Sequence, residues 1–301
     1  IPALLDTGVY NGENHSIPFR CSIMFVLYNK EMFAKYDLAT PENYDEFLAI
    51  CQTLKDNGET PLLFGNSGEW YGSWYEGTYN QLCVPYDVKM NDYNPANGDF
   101  TNEGYVNALQ RILDLQTLGY FSPNVLSADY YQVREQFCAN MGGMILDATS
   151  QFSFYEENAI MDWGFFKVPA ILSESGAPTH ITGGAEAYCV AASCEHPDMA
   201  VEFLKFLTSY EQAYAMTKDI GLPNSLVNGI DDGNGSPALV EAMNMLNDYE
   251  GIAAWLDTDV EAKVADAYMA GLSEILGGSK TPAQVMEDVQ KAAAEVRESL
   301  E

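Results

Sequence analysis

Positive charge is scarce in this sequence. Fourteen Lys and Arg stand against 44 Asp and Glu, for a net charge of -30 and an isoelectric point near 4.1. Nucleic-acid binding needs a basic patch, and an anionic membrane attracts Lys and Arg, so the balance argues against both partners. An acidic surface signals solubility and self-repulsion. Long apolar runs are missing too: no stretch reaches the roughly 18–20 residues of a membrane-spanning helix. The chain opens Ile-Pro-Ala, without Met or a charged n-region, so no secretory signal peptide is read and location has to come from elsewhere. Histidine is limited to three scattered positions and no Cys-x-x-Cys occurs, which argues against zinc. G-x-S-x-G, H-E-x-x-H, the Walker loop and G-x-G-x-x-G are all absent. No cofactor is implied.

What is present suits one large or two ordinary domains: 301 residues, enough to bury a sizeable core. The six cysteines are Cys21, Cys51, Cys83, Cys138, Cys189 and Cys194. An even count permits disulfides, in any of about 15 pairings. Cys21, Cys51 and Cys189 sit in apolar patterns and read as small buried hydrophobes.

Ile23 to Tyr28 is an apolar run that fits a strand covered on both faces, as in a parallel sheet. In PENYDEFLAICQTLKDNG, Asn43 caps a helix, Glu46 stands at capping-box spacing, and Phe47, Cys51 and Leu54 share a face before Gly58. TPLLF is a short strand. TNEGYVNALQRILDLQTLG repeats the helical logic with Tyr105, Leu109, Ile112 and Leu113, ending at Gly119. MGGMILDA, WGFFKVPA and AEAYCVAAS read as further strands. The helix of EHPDMAVEFLKFLTS carries a stripe of Ala200, Phe203, Leu204 and Leu207, and Ser209 with Gln212 starts the next helix. From 236 onward the pattern is helical throughout. Val260, Val264, Tyr268, Leu272 and Ile275 line one segment; Thr281, Pro282 and Gln284 open the last. Strands alternating with helices predict an α/β architecture with a helical C-terminal tail.

The order of these motifs resembles the extracellular solute-binding proteins of ABC importers, in the carbohydrate group that includes maltose-binding protein. YNGENHSIPF followed by LYNKEMFAKYDLATPENYDEF is similar to the family's passage from one lobe to the other. NGETPLLFGNSGEWYGSW, FCANMGGMILDATSQF, DWGFFKVPA, GGAEAYCVAASCEHPDMAVEFLKFLTSYE and GGSKTPAQVMEDVQKAAAEV resemble successive later segments. Each is weak alone; the ordered set covers nearly the whole chain. The resemblance implies a two-lobed periplasmic-binding-protein-like (type II) fold with crossovers near 21–23 and 180–184. Residues 1–21 and 184–235 are then what remains of lobe 1, and 23–180 with 236–301 form lobe 2. The family places βαβ units before Ile17-Pro18, so lobe 1 is expected to be incomplete. A bare sheet edge there invites pairing with a second chain, giving a dimer or a swap.

Sugars are neutral, with apolar ring faces and a belt of hydroxyls. They call for flat aromatics and polar side chains that bond hydroxyls. GEWYGSWYEGTY supplies both, and the resemblance puts this loop at the cleft: Glu69 as hydroxyl acceptor, Trp70 as stacking platform, Trp74 beside it. The alternative makes Trp74 a core residue at a helix start. Ser22 matches a family position that enters the cleft. Arg20 shares its strand face and either binds ligand or pairs with a carboxylate near the hinge. After MILDA the family often has a stacking Trp; here stand Asp147, Ser150, Gln151 and Phe152. Asp147 and Gln151 then bond hydroxyls, or Asp147 caps a helix. Gly183 and Gly184 allow close backbone approach by a ligand or serve the hinge. Trp255 either touches ligand or packs.

The implied function is an extracellular or periplasmic sugar-binding subunit that closes on its ligand and delivers it to an ABC permease. Anchoring is expected as a lipoprotein, through a segment absent from this sequence. Two other readings stand beside it. A glycoside hydrolase needs two paired carboxylates, and no stretch sets up an identifiable pair. A truncated fragment would fold without binding. Asp92, Asn94, Asn97 and Asp99 hint at calcium, but their spacing misses the EF-hand loop by a residue.

Overall fold

The computed structural model describes residues 2–5, 8–10, 13–253 and 255–300; Asn11 and Gly12 of YNGENHSIPF and Ala254 of GIAAWLDTD lie outside them. The chain forms two compact units. One comprises 1–24, 147–158 and 179–253; the other 25–146, 159–178 and 254–301. Two stretches fall elsewhere than the sequence-based lobe boundaries put them: 147–158 and 236–253 both belong with the first unit. Local bonds explain this. The Ile23 amide donates to Thr149 Oγ1 at 3.2 Å, and strand Gly251–Ala253 pairs in parallel with His180, Ile181 and Thr182.

The strand Ile17–Asn29 serves both units. Its first part pairs antiparallel with His180–Tyr188, Ile23 facing Gly183. Its last part pairs antiparallel with Trp163–Phe166, Val26 facing Phe166. Ile23, Met24, Phe25, Val26 and Leu27 are all buried, as the apolar run predicts. The expected parallel setting is corrected: both of these partners run antiparallel. Parallel pairing is found instead between Leu62–Leu63 and Met144–Ala148.

In the second unit, the helices Trp70–Cys83, Glu103–Thr117, Ala262–Leu276 and Pro282–Leu300 enclose an apolar core. Tyr105, Leu109, Tyr268, Ile275, Val285 and Val289 meet there. The caps are those the sequence announces. Asn43 accepts from the Glu46 amide at 3.0 Å ahead of Tyr44–Asp56. Thr281 and Gln284 exchange bonds at 2.9 and 3.3 Å at the start of the last helix. Gly58 and Gly119 end their helices at φ +79° and +68°, where a side chain would strain the backbone.

Other expectations are corrected. The tail from 236 is not wholly helical, because Gly251–Ala253 is a strand. The strand around Tyr188 stops there, so Cys189 is exposed in a loop instead of buried. Cys21, Cys51, Cys83 and Cys138 are buried. Helix Pro197–Leu207 buries none of its residues, and Phe203 is 58% exposed. Among the described residues no helix is long and apolar enough to cross a membrane.

Candidate functional site

The second unit gathers four of the predicted residues. Gly65, Asn66 and Ser67 lead from strand Leu62–Leu63 to Glu69, the residue ahead of helix Trp70–Cys83. Glu69 has φ +58° and ψ -46°, and the Trp70 amide donates to the Gly68 carbonyl at 2.7 Å. This is a γ-turn of the rare positive-φ kind, a geometry that costs on the order of 1–3 kcal/mol and is met mainly at functional sites. The helix then presents Trp70 and, one turn on, Trp74. Their ring centroids are 5.5 Å apart at 73°.

Trp255 precedes the short helix Leu256–Asp259 and tilts against Trp74 at 5.6 Å. Its amide donates to Asp259 Oδ2 at 2.6 Å. All three indoles are half-buried and Glu69 is exposed. Tyr75, one residue beyond Trp74, is buried. The reading of this stretch as a helix start is therefore right in backbone, while Trp74 keeps a partly open ring.

Sequence reasoning missed two rings of this wall. Tyr130 lies 5.0 Å from Trp70 and 5.6 Å from Trp74, and Tyr131 lies 6.4 Å from Trp70. Arg134 stands over both tyrosines at 5.3 and 5.4 Å, within cation–π range. The signal was present in ADYYQVREQF. Asp129 and Gln132 form a capping box that fixes the first turn of Tyr130–Cys138, where both tyrosines sit.

Beneath this wall the helix turns polar. Glu76 is fully buried, and neither carboxylate oxygen has a hydrogen-bond partner among the described residues. Burial, then the nearby Asp257 and Glu69 carboxylates, pushes its pKa up to about 8. Burial also raises Asp257, against a bond from Ser73 that lowers it, and raises Asp259. Lys89 is buried as well; its ammonium donates to Gln81, and desolvation lowers its pKa to about 7. Asp92 accepts from Tyr105 at 3.0 Å and from the Asp99 amide at 3.2 Å. The DYNPANGDF stretch thus uses its first aspartate within the fold, and the described residues show no group of three or more His, Cys, Asp or Glu able to hold a metal ion.

The first unit holds the other six predicted residues. Arg20 pairs with Glu186 across the antiparallel strands, which is the hinge-carboxylate alternative. Ser22 is buried opposite Gly184, its hydroxyl without a partner among the described residues. A Cβ on Gly183 would stand 2.5 Å from the Ser22 carbonyl, so strand packing alone requires glycine there. Asp147 is fully buried; it accepts from the Ala148 amide at 2.7 Å and from the Tyr155 hydroxyl. Both carboxylate oxygens are thus engaged within the fold, by a strand amide and a tyrosine hydroxyl and not by capping a helix. Gln151 is half-buried at the end of the single 3-10 turn Thr149–Gln151. A groove of about 360 Å³ also lies on this unit, lined by Phe19, Tyr188, Leu207, Met216, Ile220 and Leu226 among others. It includes none of the predicted residues.

Comparison with known proteins bears on the family and the fold. A model of the bacterial extracellular solute-binding protein family matches residues 2–214. The multiple sugar-binding protein of Streptococcus mutans is 23% identical over 246 residues, which are 75% of this chain and 54% of that protein. The chain spans about half the length of the curated relatives it matches. A structure from work on xylan utilisation by Caldanaerobius polysaccharolyticus superposes with a TM-score of 0.87 at 22% identity, covering 97% of this chain and 76% of the other. A chitin oligosaccharide binding protein gives 0.87 at 21%, covering 99% and 75%. These likenesses show the fold to be that of the solute-binding proteins.

Proposed function

We propose, for a chain that belongs to the bacterial extracellular solute-binding protein family, that its ligand is a neutral carbohydrate, bound without chemical conversion and passed to the membrane permease of an ABC importer. One observation carries this reading: Trp70, Trp74, Trp255, Tyr130 and Tyr131 form a continuous aromatic wall with the Glu69 carboxylate at its edge. Partly open indoles stack on the apolar face of a pyranose. A carboxylate accepts from its hydroxyls and cannot donate. The similar proteins named above, which concern several sugars, chitin oligosaccharides and xylan use, point to the same ligand class.

Stacking supports an oligosaccharide more than a single ring, because three indoles offer more platform than one sugar covers. Function outside the cytoplasmic membrane follows the family. Retention there as a lipoprotein belongs to the same proposal, as does a dimer formed through the first unit's sheet edge.

The test is thermal unfolding against xylo-, chito- and malto-oligosaccharides and α-galactosides. A bound sugar at 100 times its dissociation constant adds about 2.7 kcal/mol. Trp70→Ala should abolish the rise. A panel that leaves the melting temperature unmoved rejects the reading, and turnover of a chromogenic glycoside replaces it with a hydrolase.

A further inference from the structure

Glu69 is an awkward residue to find in a positive-φ turn, where glycine fits without strain. The backbone there is tied three ways. The Glu69 amide donates to the Asn66 carbonyl at 3.2 Å, the Trp70 amide to Gly68 at 2.7 Å, and the Gly72 amide to the Glu69 carbonyl at 2.8 Å. The side chain is tied as well. Ser273, from helix Ala262–Leu276, donates its hydroxyl to Glu69 Oε1 at 3.3 Å. Asn66 Nδ2 donates to Ser273 Oγ at 3.0 Å.

The direction of this relay is fixed by chemistry. An amide nitrogen only donates, so Asn66 fills an acceptor position on Ser273 and leaves the single hydroxyl proton for Glu69. Asn66 itself is buried at 1% exposure. It is held against Gly72, where a Cβ would lie 2.4 Å from Asn66 Oδ1. Oε2 of Glu69 has no hydrogen bond among the described residues, so one oxygen is engaged and the other is available to a ligand hydroxyl.

We propose that Asn66 and Ser273 are positioning residues, which hold the Glu69 carboxylate at a set angle beside Trp70 and so determine which sugar hydroxyl it accepts. This rests on the carbohydrate reading above.

Two measurements on the full chain test it. The first needs no ligand. Hydrogen exchange of the Trp70 amide should be at least tenfold faster in Ser273→Ala and Asn66→Ala than in the parent, while amides of helix Glu103–Thr117 keep their rates. Unchanged Trp70 exchange overturns the relay whether or not a sugar is known. The second uses the oligosaccharide that most raises the melting temperature, titrated calorimetrically. Ser273→Ala should weaken it about tenfold and reduce the preference between two epimers, and Ser273→Thr should restore both. In a Glu69→Ala background, Ser273→Ala should add less than twofold. An equal loss in both backgrounds overturns the proposal. If no sugar binds the parent chain, the carbohydrate reading falls, and the exchange result alone decides the relay.

Discussion

Replacing Glu76 by Gln should stabilise this protein at neutral pH and leave it nearly unchanged in acid. Glu76 has no exposed surface and no hydrogen-bond partner for either oxygen among the described residues. Desolvation is the main cause that raises it from 4.5 to about 8, with Asp257 and Glu69 adding to it. Between those values the folded chain holds a proton that the unfolded chain has released. Stability therefore falls as pH rises across this window: the contribution is complete below about 4.5 and lost on passing about 8. At about 1.4 kcal/mol per pH unit, the loss reaches on the order of 3 kcal/mol at pH 7 and 5 kcal/mol above pH 8. Gln keeps the shape and carries no charge. Urea unfolding of both proteins at pH 4, 7 and 9 is the assay, because the difference between the two profiles removes every other titrating group to first order. The variant should match the parent at pH 4 and exceed it by about 3 kcal/mol at pH 7. Parallel profiles with a constant offset would refute the reasoning and show that Glu76 is charged in the folded state.

Lys89 should act with the opposite sign. Its folded pKa of about 7 lies below the ordinary 10.5, so stability rises with pH across that interval, and Lys89→Met should flatten the rise in urea titrations between pH 7 and 10. Phe203→Ser should change stability by less than about 0.5 kcal/mol because Phe203 is largely exposed, whereas Leu272→Ala in the helical core should cost about 2–5 kcal/mol; denaturant midpoints distinguish the two. Maleimide labelling followed by mass measurement should modify Cys189 in the native protein and spare Cys21, Cys51, Cys83 and Cys138 until the chain is unfolded. Burial, which pushes the Cys21 and Cys83 thiols up to about 12, keeps those two unreactive even at moderately alkaline pH. In size-exclusion chromatography with light scattering, a dimer through the first unit's sheet edge would appear at twice 33.2 kDa; a monomer at all concentrations rejects it.

Local rules carried much of this structure. Asn43, Ser209 and Thr281 cap helices because side-chain oxygens meet orphan amides within three residues, a range that a sequence displays directly. The Ile23–Leu27 run was legible because burial on both faces removes alternation. The strand Gly251–Ala253 was not, since three residues are too few to show a period and owe their conformation to His180, Ile181 and Thr182 about 70 residues away. Glu76, Asn80 and Gln81 look like a solvated helix face, and tertiary packing alone buries them. At the site, the indoles near Glu69 declared themselves by chemistry and proximity. Tyr130 and Ser273 did not, because they arrive from helices distant in sequence. Asp147 carried the right functional group in an expected place, yet Tyr155 and a backbone amide occupy it.

The strand Ile17–Asn29 also sets a schedule for biosynthesis. Val26 finds its partner in Phe166, about 140 residues later. At roughly 5–20 residues per second a ribosome needs on the order of 7–28 s to deliver that partner. For most of this interval, until Met144–Ala148 emerges as its first neighbouring strand, the apolar segment has no sheet partner. A segment left waiting in this way is exposed to pairing with a second chain, so slow synthesis would favour aggregation over folding.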